Sequence, residues 1–229
     1  MDYPISTCLE ESPIYQAVIK GKIDDVRSSL AHKVFSWDWA DDDEDDYIFR
    51  NSLNKAVEID RSDIVAILLQ AHFGDNGYDK RNWKPWYVTE ALETAARLGR
   101  QEIVRQVLET EQDNIRNISN ALDSGVWSRN ITILQMLMDA GASPNAITDW
   151  GTPLIAATSA GDLNVVKFLI EAGADPNKGV DMKGYCSPLL SAAFEGHQDI
   201  FDYLLPFVTD EEEIEVAQEY VSIKNTDNC

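Results

Sequence analysis

The sequence predicts an all-α fold: a solenoid of helix–turn–helix units stacked one on the next. Three observations predict it. A motif of turn, short helix, Gly, second helix and Gly recurs along most of the 229 residues, small residues stand at one fixed offset within it, and apolar residues at i, i+3 and i+4 mark each second helix. The clearest copy is Asp149–Asn177, DWGTPLIAATSAGDLNVVKFLIEAGADPN. Gly161 and Gly173 suit the left-handed ends of the two helices.

Phasing the rest of the chain on Thr152 gives starts at Ser12, Asn51, Glu90, Asn120, Thr152 and Ser187. The repeats then lie near 12–31, 51–71, 90–109, 120–145, 149–177 and 181–207 within a single domain spanning 1–229. Two positions after each start stands an aliphatic residue: Ile14, Leu53, Leu92, Leu122, Leu154 and Leu189. Five after comes a small one, Ala17, Ala56, Ala95, Gly125, Ala157 and Ala192, which lets neighbouring helices approach closely. Nine after, where the first helix must stop, are Gly21, Asp60, Gly99, Arg129, Gly161 and Gly196. Asp60 and Arg129 depart from glycine and weaken their own copies. Second helices are marked by Ile64, Ile67 and Leu68; Ile103, Val107 and Leu108; Ile133, Met136 and Leu137; Val165, Phe168 and Leu169; and Ile200, Tyr203 and Leu204. The first copy, with Ile23, Val26 and Leu30, is weaker, as suits an end repeat.

Two long connections interrupt the pattern, His32 to Arg50 and His72 to Thr89. The first holds Trp37, Trp39 and the acidic run Asp41–Asp46; the second holds Trp83, Pro85, Trp86 and Tyr87. Linkers of that length are often functional or disordered. After Phe207, TDEEEIEVAQEYV opens with Thr and Asp as caps and three Glu in its first turn, a sound helix start. We expect a C-terminal capping helix over 209–221 and a frayed tail from Ser222 to Cys229.

These residues resemble the ankyrin repeat family. Thr152-Pro153-Leu154-Ile155-Ala156-Ala157 is similar to its T-P-L-H-x-A signature, with Ile155 in place of His. Glu171–Asn177 (EAGADPN) and Asp139–Asn145 (DAGASPN) resemble its exit turn, and Ser187–Ala193 followed by Gly196-His197 supplies a further copy. The lead-in LPFVTDEEE is similar to the endings of bacterial ankyrin proteins. The resemblance implies a solenoid of about six repeats and a protein-binding role. It also implies that first helices and turn tips line a concave surface where partners dock.

Composition narrows the function. Nineteen Lys+Arg against 40 Asp+Glu give a net charge of −21, a field that repels nucleic-acid phosphates and anionic membranes and favours basic partners. Cys8, Cys186 and Cys229 are too few and scattered for a disulfide framework, and suit reduced thiols. The N-terminus MDYPISTCLEESP lacks a basic segment followed by an apolar run, and no stretch approaches a membrane span. The expectation is a cytoplasmic protein, monomeric alone, with no cofactor.

Chemistry leaves little trace. Phosphate loops, dinucleotide fingerprints and nucleophile elbows are absent from the sequence. His32, His72 and His197 fall in separate stretches and are not paired at metal spacing. His197 stands where the family often carries a structural histidine. Cys186 has no nearby His and reads as an inert thiol. Asp41–Asp46 lacks the spacing of a calcium loop, so a solvated acidic loop is the better reading than a Ca²⁺ site.

The candidate binding residues come from the seventh and eighth positions of each copy, just before the break. Five there are large and apolar: Ile19, Ile59, Leu98, Trp127 and Phe194. One reading makes them anchors for a partner, since aromatics at the centre of an interface are typical hot spots. The other packs them under the long linkers, with Trp83, Trp86 and Tyr87 as cover. Trp150, Met182 and Tyr185, placed at turn tips, favour binding. The sequence therefore points to a non-catalytic adaptor or scaffold that takes a basic protein segment on an acid-rimmed face. The alternative is a dedicated inhibitor or immunity protein that neutralises a basic toxin or nuclease.

Overall fold

A computed structural model describes residues 9–31, 44–73, 86–110, 115–148, 151–181 and 185–227. The contacts divide the chain into two compact units, Met1–Asn114 and Ile115–Cys229. Both are built from helix pairs.

The first unit holds three pairs: α1 (Pro13–Ile19) with α2 (Ile23–Ala31), α3 (Glu44–Glu58) with α4 (Ser62–Phe73), and α5 (Trp86–Arg97) with α6 (Gln101–Thr110). First helices stack in the order α1, α3, α5 and second helices in the order α2, α4, α6. The second unit repeats the plan with α7 (Ile115–Val126), α8 (Ile131–Asp139), α9 (Pro153–Ser159), α10 (Leu163–Glu171), α11 (Pro188–Glu195) and α12 (Gln198–Leu204). Here α7, α9 and α11 stack in order, and α13 (Glu211–Asp227) packs on α11. A short antiparallel ribbon precedes α11: β1 (Val180–Asp181) pairs with β2 (Tyr185–Cys186), Val180 opposite Cys186.

Local chemistry explains the starts. The hydroxyls of Ser12, Thr152 and Ser187 accept from the N–H groups of Tyr15, Ile155 and Leu190 at 3.4, 3.3 and 3.1 Å. Asn130 and Asp162 cap α8 and α10 in the same way. The aliphatic and small positions read from the sequence are all buried in every copy. In each of the later second helices the i and i+4 residues are buried, and the residue at i+3 is half-buried. Helix α2 buries Val26 alone.

The breaks are where the structure adds most. Gly21, Gly99, Gly161 and Gly196 have positive φ, and so do Asp60 (59°) and Arg129 (56°). The two non-glycine copies therefore turn like the others. Side chains from the adjoining copies offset the cost of a left-handed residue, roughly 1–2 kcal/mol. Arg100 donates to the Asp60 carboxylate at 3.1 Å and to the Glu58 carbonyl at 3.2 Å. Arg129 itself donates to the Ala160 carbonyl at 3.0 Å and approaches Asp162. Arg61 reaches back to the Gly21 carbonyl at 2.9 Å. His197 lies against Gly161, so near that a Cβ there would sit 2.6 Å from its ring. That packing supports the structural role expected for His197. Gly161→Ala combines this clash with a φ of +69° and is expected to cost about 1–2 kcal/mol in urea unfolding. Adding His197→Ala should recover the clash but leave the backbone strain; full recovery would show that φ is not the constraint.

Exit turns are tied similarly. Asn145 donates to the Gly173 carbonyl and accepts from the Asp175 N–H, both at 2.8 Å. Asn177 donates to the Phe207 carbonyl and accepts from the Thr209 N–H, both at 3.0 Å. The two asparagines of the exit-turn motif thus link one copy to the next.

Two expectations need correction. Residues 44–50 and 86–89 are helical, not linker, because α3 and α5 begin one to two turns early. Ile48, Phe49 and Val88 are buried there and extend the core. Helix α4 also takes in residues 72–73, while residues 32–43 and 74–85, including Trp37, Trp39, Asp41–Asp43, Trp83 and Pro85, lie outside the described residues, and with them the cover they were expected to give. Finally, Ser222–Asp227 continues α13 and is not frayed. Lys224 anchors that end, with its Nζ over the Phe194 ring at 5.6 Å and beside Gly196. Within α13, Ile214 and Ala217 follow Glu212 by two and five positions, and Ala217 is fully buried. The helix therefore fills the place of one more first helix.

Candidate partner-binding surface

At the ends of the first helices the chain keeps large apolar side chains in solvent. Ile19, Ile59 and Leu98 close α1, α3 and α5 in the first unit, and all three are exposed. Stacked helix axes lie about 8–10 Å apart, so equivalent positions on successive first helices form a row. In the second unit Trp127 follows α7 and is 53% exposed, and Phe194 near the end of α11 is 62% exposed. Between them the fifth copy presents only small residues. Ser159 is joined to Ser191 by a hydroxyl hydrogen bond of 2.8 Å, and Ala160 accepts from Arg129. The row in this unit is thus two aromatic side chains flanking a low step.

The structure says less of the other candidates. Trp86 and Tyr87 open α5 and Tyr185 belongs to β2, but their side chains lie outside the described residues. Trp150 and Met182 lie outside them altogether.

Sequence reasoning missed Tyr220, which packs edge-on against Phe194 at 6.2 Å between centroids and stays 44% exposed. Val216 and Ile223 on the same helix are exposed too. The i, i+4, i+7 spacing of these three was the available signal.

Charge beside the first unit's row is mixed, with exposed Lys20, Glu58 and Arg97 next to the apolar residues. Acid is concentrated on α13, where Glu211, Glu212, Glu215 and Glu219 are all exposed. The side chains of the other acidic run, Asp41–Asp46, lie outside the described residues.

Buried polar groups serve the framework. Glu213 is buried and accepts from the Ser187 hydroxyl at 2.5 Å, fastening α13 to the start of α11. Asp123 in α7 is buried and accepts from the Thr148 hydroxyl at 3.2 Å, holding the turn that precedes α9. Its other oxygen has no hydrogen-bond partner among the described residues, and burial pushes its pKa up to about 6 against a smaller opposing effect of Thr148. Burial likewise pushes the half-buried Cys186 thiol up, which makes it a poor nucleophile. Among the described residues no group of three His, Cys, Asp or Glu is placed to hold a metal ion. Among them, too, no helix is long and apolar enough to cross a membrane.

Helix pairs with broken ends, capped starts and asparagine-tied turns are matched by a family model for ankyrin repeats (three copies) over residues 125–216. Residues 125–216 are ankyrin repeats. The crystal structure of the ankyrin repeat domain of Bcl-3, described as a unique member of the IkappaB protein family, is similar over 87% of this chain and 87% of that one, with a TM-score of 0.62 and 20% identity. At that identity the likeness shows the fold, and it reaches into copies that the family model leaves out. No curated protein matches the chain. Ankyrin repeats indicate a protein–protein interaction module.

Proposed function

We propose that this protein is a non-catalytic adaptor or scaffold, acting as a monomer in the cytoplasm. It holds a basic protein segment through the apolar side chains that end its first helices. The observation that carries this reading is the exposure of Ile19, Ile59, Leu98, Trp127 and Phe194, one from each copy but the fifth. A solvent-facing surface gains nothing from these side chains unless a partner covers them. Trp127 and Phe194 are the anchors with the most area to bury. Trp86, Tyr87, Trp150, Met182 and Tyr185 belong to the same proposed surface on the sequence pattern alone.

Capture of partners from the source lysate by wild-type protein and by Trp127→Ala tests the reading. Loss of one anchor at a hot spot should weaken binding of the captured protein by about 2 kcal/mol. Binding should also fall between low and physiological salt, where charges are screened beyond about 8 Å. Full affinity in a folded Trp127→Ala protein would sink the anchor assignment.

The net charge of −21 favours a second reading, a dedicated inhibitor or immunity protein that masks a basic toxin or nuclease. Stoichiometric loss of the captured protein's own activity on adding this chain would select it over the adaptor.

A further inference from the structure

Helix α13 is organised in three parallel lines. Glu213, Ala217 and the half-buried Val221, at i, i+4 and i+8, face inward. Val216, Tyr220 and Ile223, at i, i+4 and i+7, form an adjacent line that is 40–49% exposed. Glu212, Glu215 and Glu219, at i, i+3 and i+7, are exposed and form the border on the solvent side. The helix's lysine, Lys224, has its Nζ over the Phe194 ring and lies beside Gly196. The apolar line runs about 10 Å along the helix and joins Phe194 through the Tyr220 ring contact.

We propose that this line is a docking site for one amphipathic helix of a partner, with aliphatic residues at i, i+4 and i+7 and Lys or Arg along one flank. The site rests on the reading of the chain as a protein-interaction module and gives its partner a shape and a place. A straight ridge two helical turns long accepts another helix by ridge-into-groove packing, and the three apolar side chains supply the anchors. The glutamate border selects a basic flank. A second copy of this chain would set Glu212, Glu215 and Glu219 against their own counterparts, and that repulsion disfavours it.

The test uses the full chain and a synthetic helix with leucines at i, i+4 and i+7 and lysines on one flank, followed by fluorescence anisotropy. Val216→Gln/Ile223→Gln keeps helix-forming residues and should weaken binding about tenfold or more, with circular dichroism and the unfolding midpoint unchanged. Ile147→Gln, which removes a still more exposed apolar side chain from a turn, should leave binding unchanged. A peptide with the same lysines but serine in place of leucine should bind about tenfold more weakly. Equal binding by wild type and the double variant, or by the two peptides, overturns the site and leaves attraction by net charge alone. A wild-type dimer in sedimentation that the double variant abolishes also overturns it, in favour of self-association. Neither result bears on the loss of captured partner in Trp127→Ala, so the site and the module reading fail separately.

Discussion

Leu154→Ala is expected to lower the free energy of unfolding by about 2–5 kcal/mol, and Leu169→Ala by a similar amount. Leu154 is 1% exposed in α9, which lies between α7 and α11, and Leu169 is wholly buried in α10. Truncation at either site removes apolar contact and leaves a cavity that short, capped helices cannot easily collapse around. The loss is large against the roughly 5–15 kcal/mol that stabilises an ordinary domain. It should also spread, because a helix pair in such an array buries its faces only against its neighbours. Urea unfolding followed by circular dichroism should show a lower midpoint, with the second unit affected beyond the fifth copy itself. Near-neutral effects of both substitutions would contradict stacking as the source of stability.

How far the sequence could be read follows from which contacts are local. The aliphatic residue two positions after each start and the small one five after are set by the helix period, and all of these positions are buried. The five exposed apolar residues were legible for the same reason, as phase alone put them just before the breaks. Asp60 and Arg129 were not, because what permits their left-handed backbone comes from Arg100, Asp162 and Ala160, some 31–40 residues away. The early starts of α3 and α5 did have a signal in Ile48, Phe49 and Val88, hidden by the acidic and Gly-rich stretches beside them. Tyr220 was hidden by the lack of a Gly break in α13, although Ile214 and Ala217 keep the spacing of a first helix. Charge is a different case. A net value of −21 describes the chain, whereas docking depends on which side chains border the apolar ones.

Asp123→Asn is expected to stabilise the protein at neutral pH, by up to about 3 kcal/mol. The folded-state pKa of about 6 lies above the ordinary value of 3.8, because burial disfavours the ionised form more than the Thr148 hydroxyl favours it. Between those two values the folded chain binds more protons at this site than the unfolded chain does. Stability contributed by Asp123 is therefore greatest below about pH 4 and falls as pH rises through about 6. A tenfold change in proton affinity between the unfolded and folded chain is worth about 1.4 kcal/mol, which sets the size of the loss by pH 7. Asparagine keeps an oxygen for Thr148 and is never charged, so it escapes this penalty. Many other carboxylates also titrate in this range, and the difference between variant and wild type isolates Asp123 from them. That difference, from urea unfolding at intervals between about pH 4 and 8, should rise through the interval from about 4 to 6 and then level off. A flat difference across the range would show that Asp123 is ionised in the fold at its ordinary pKa, with water or a movement of α7 supplying what the buried site lacks.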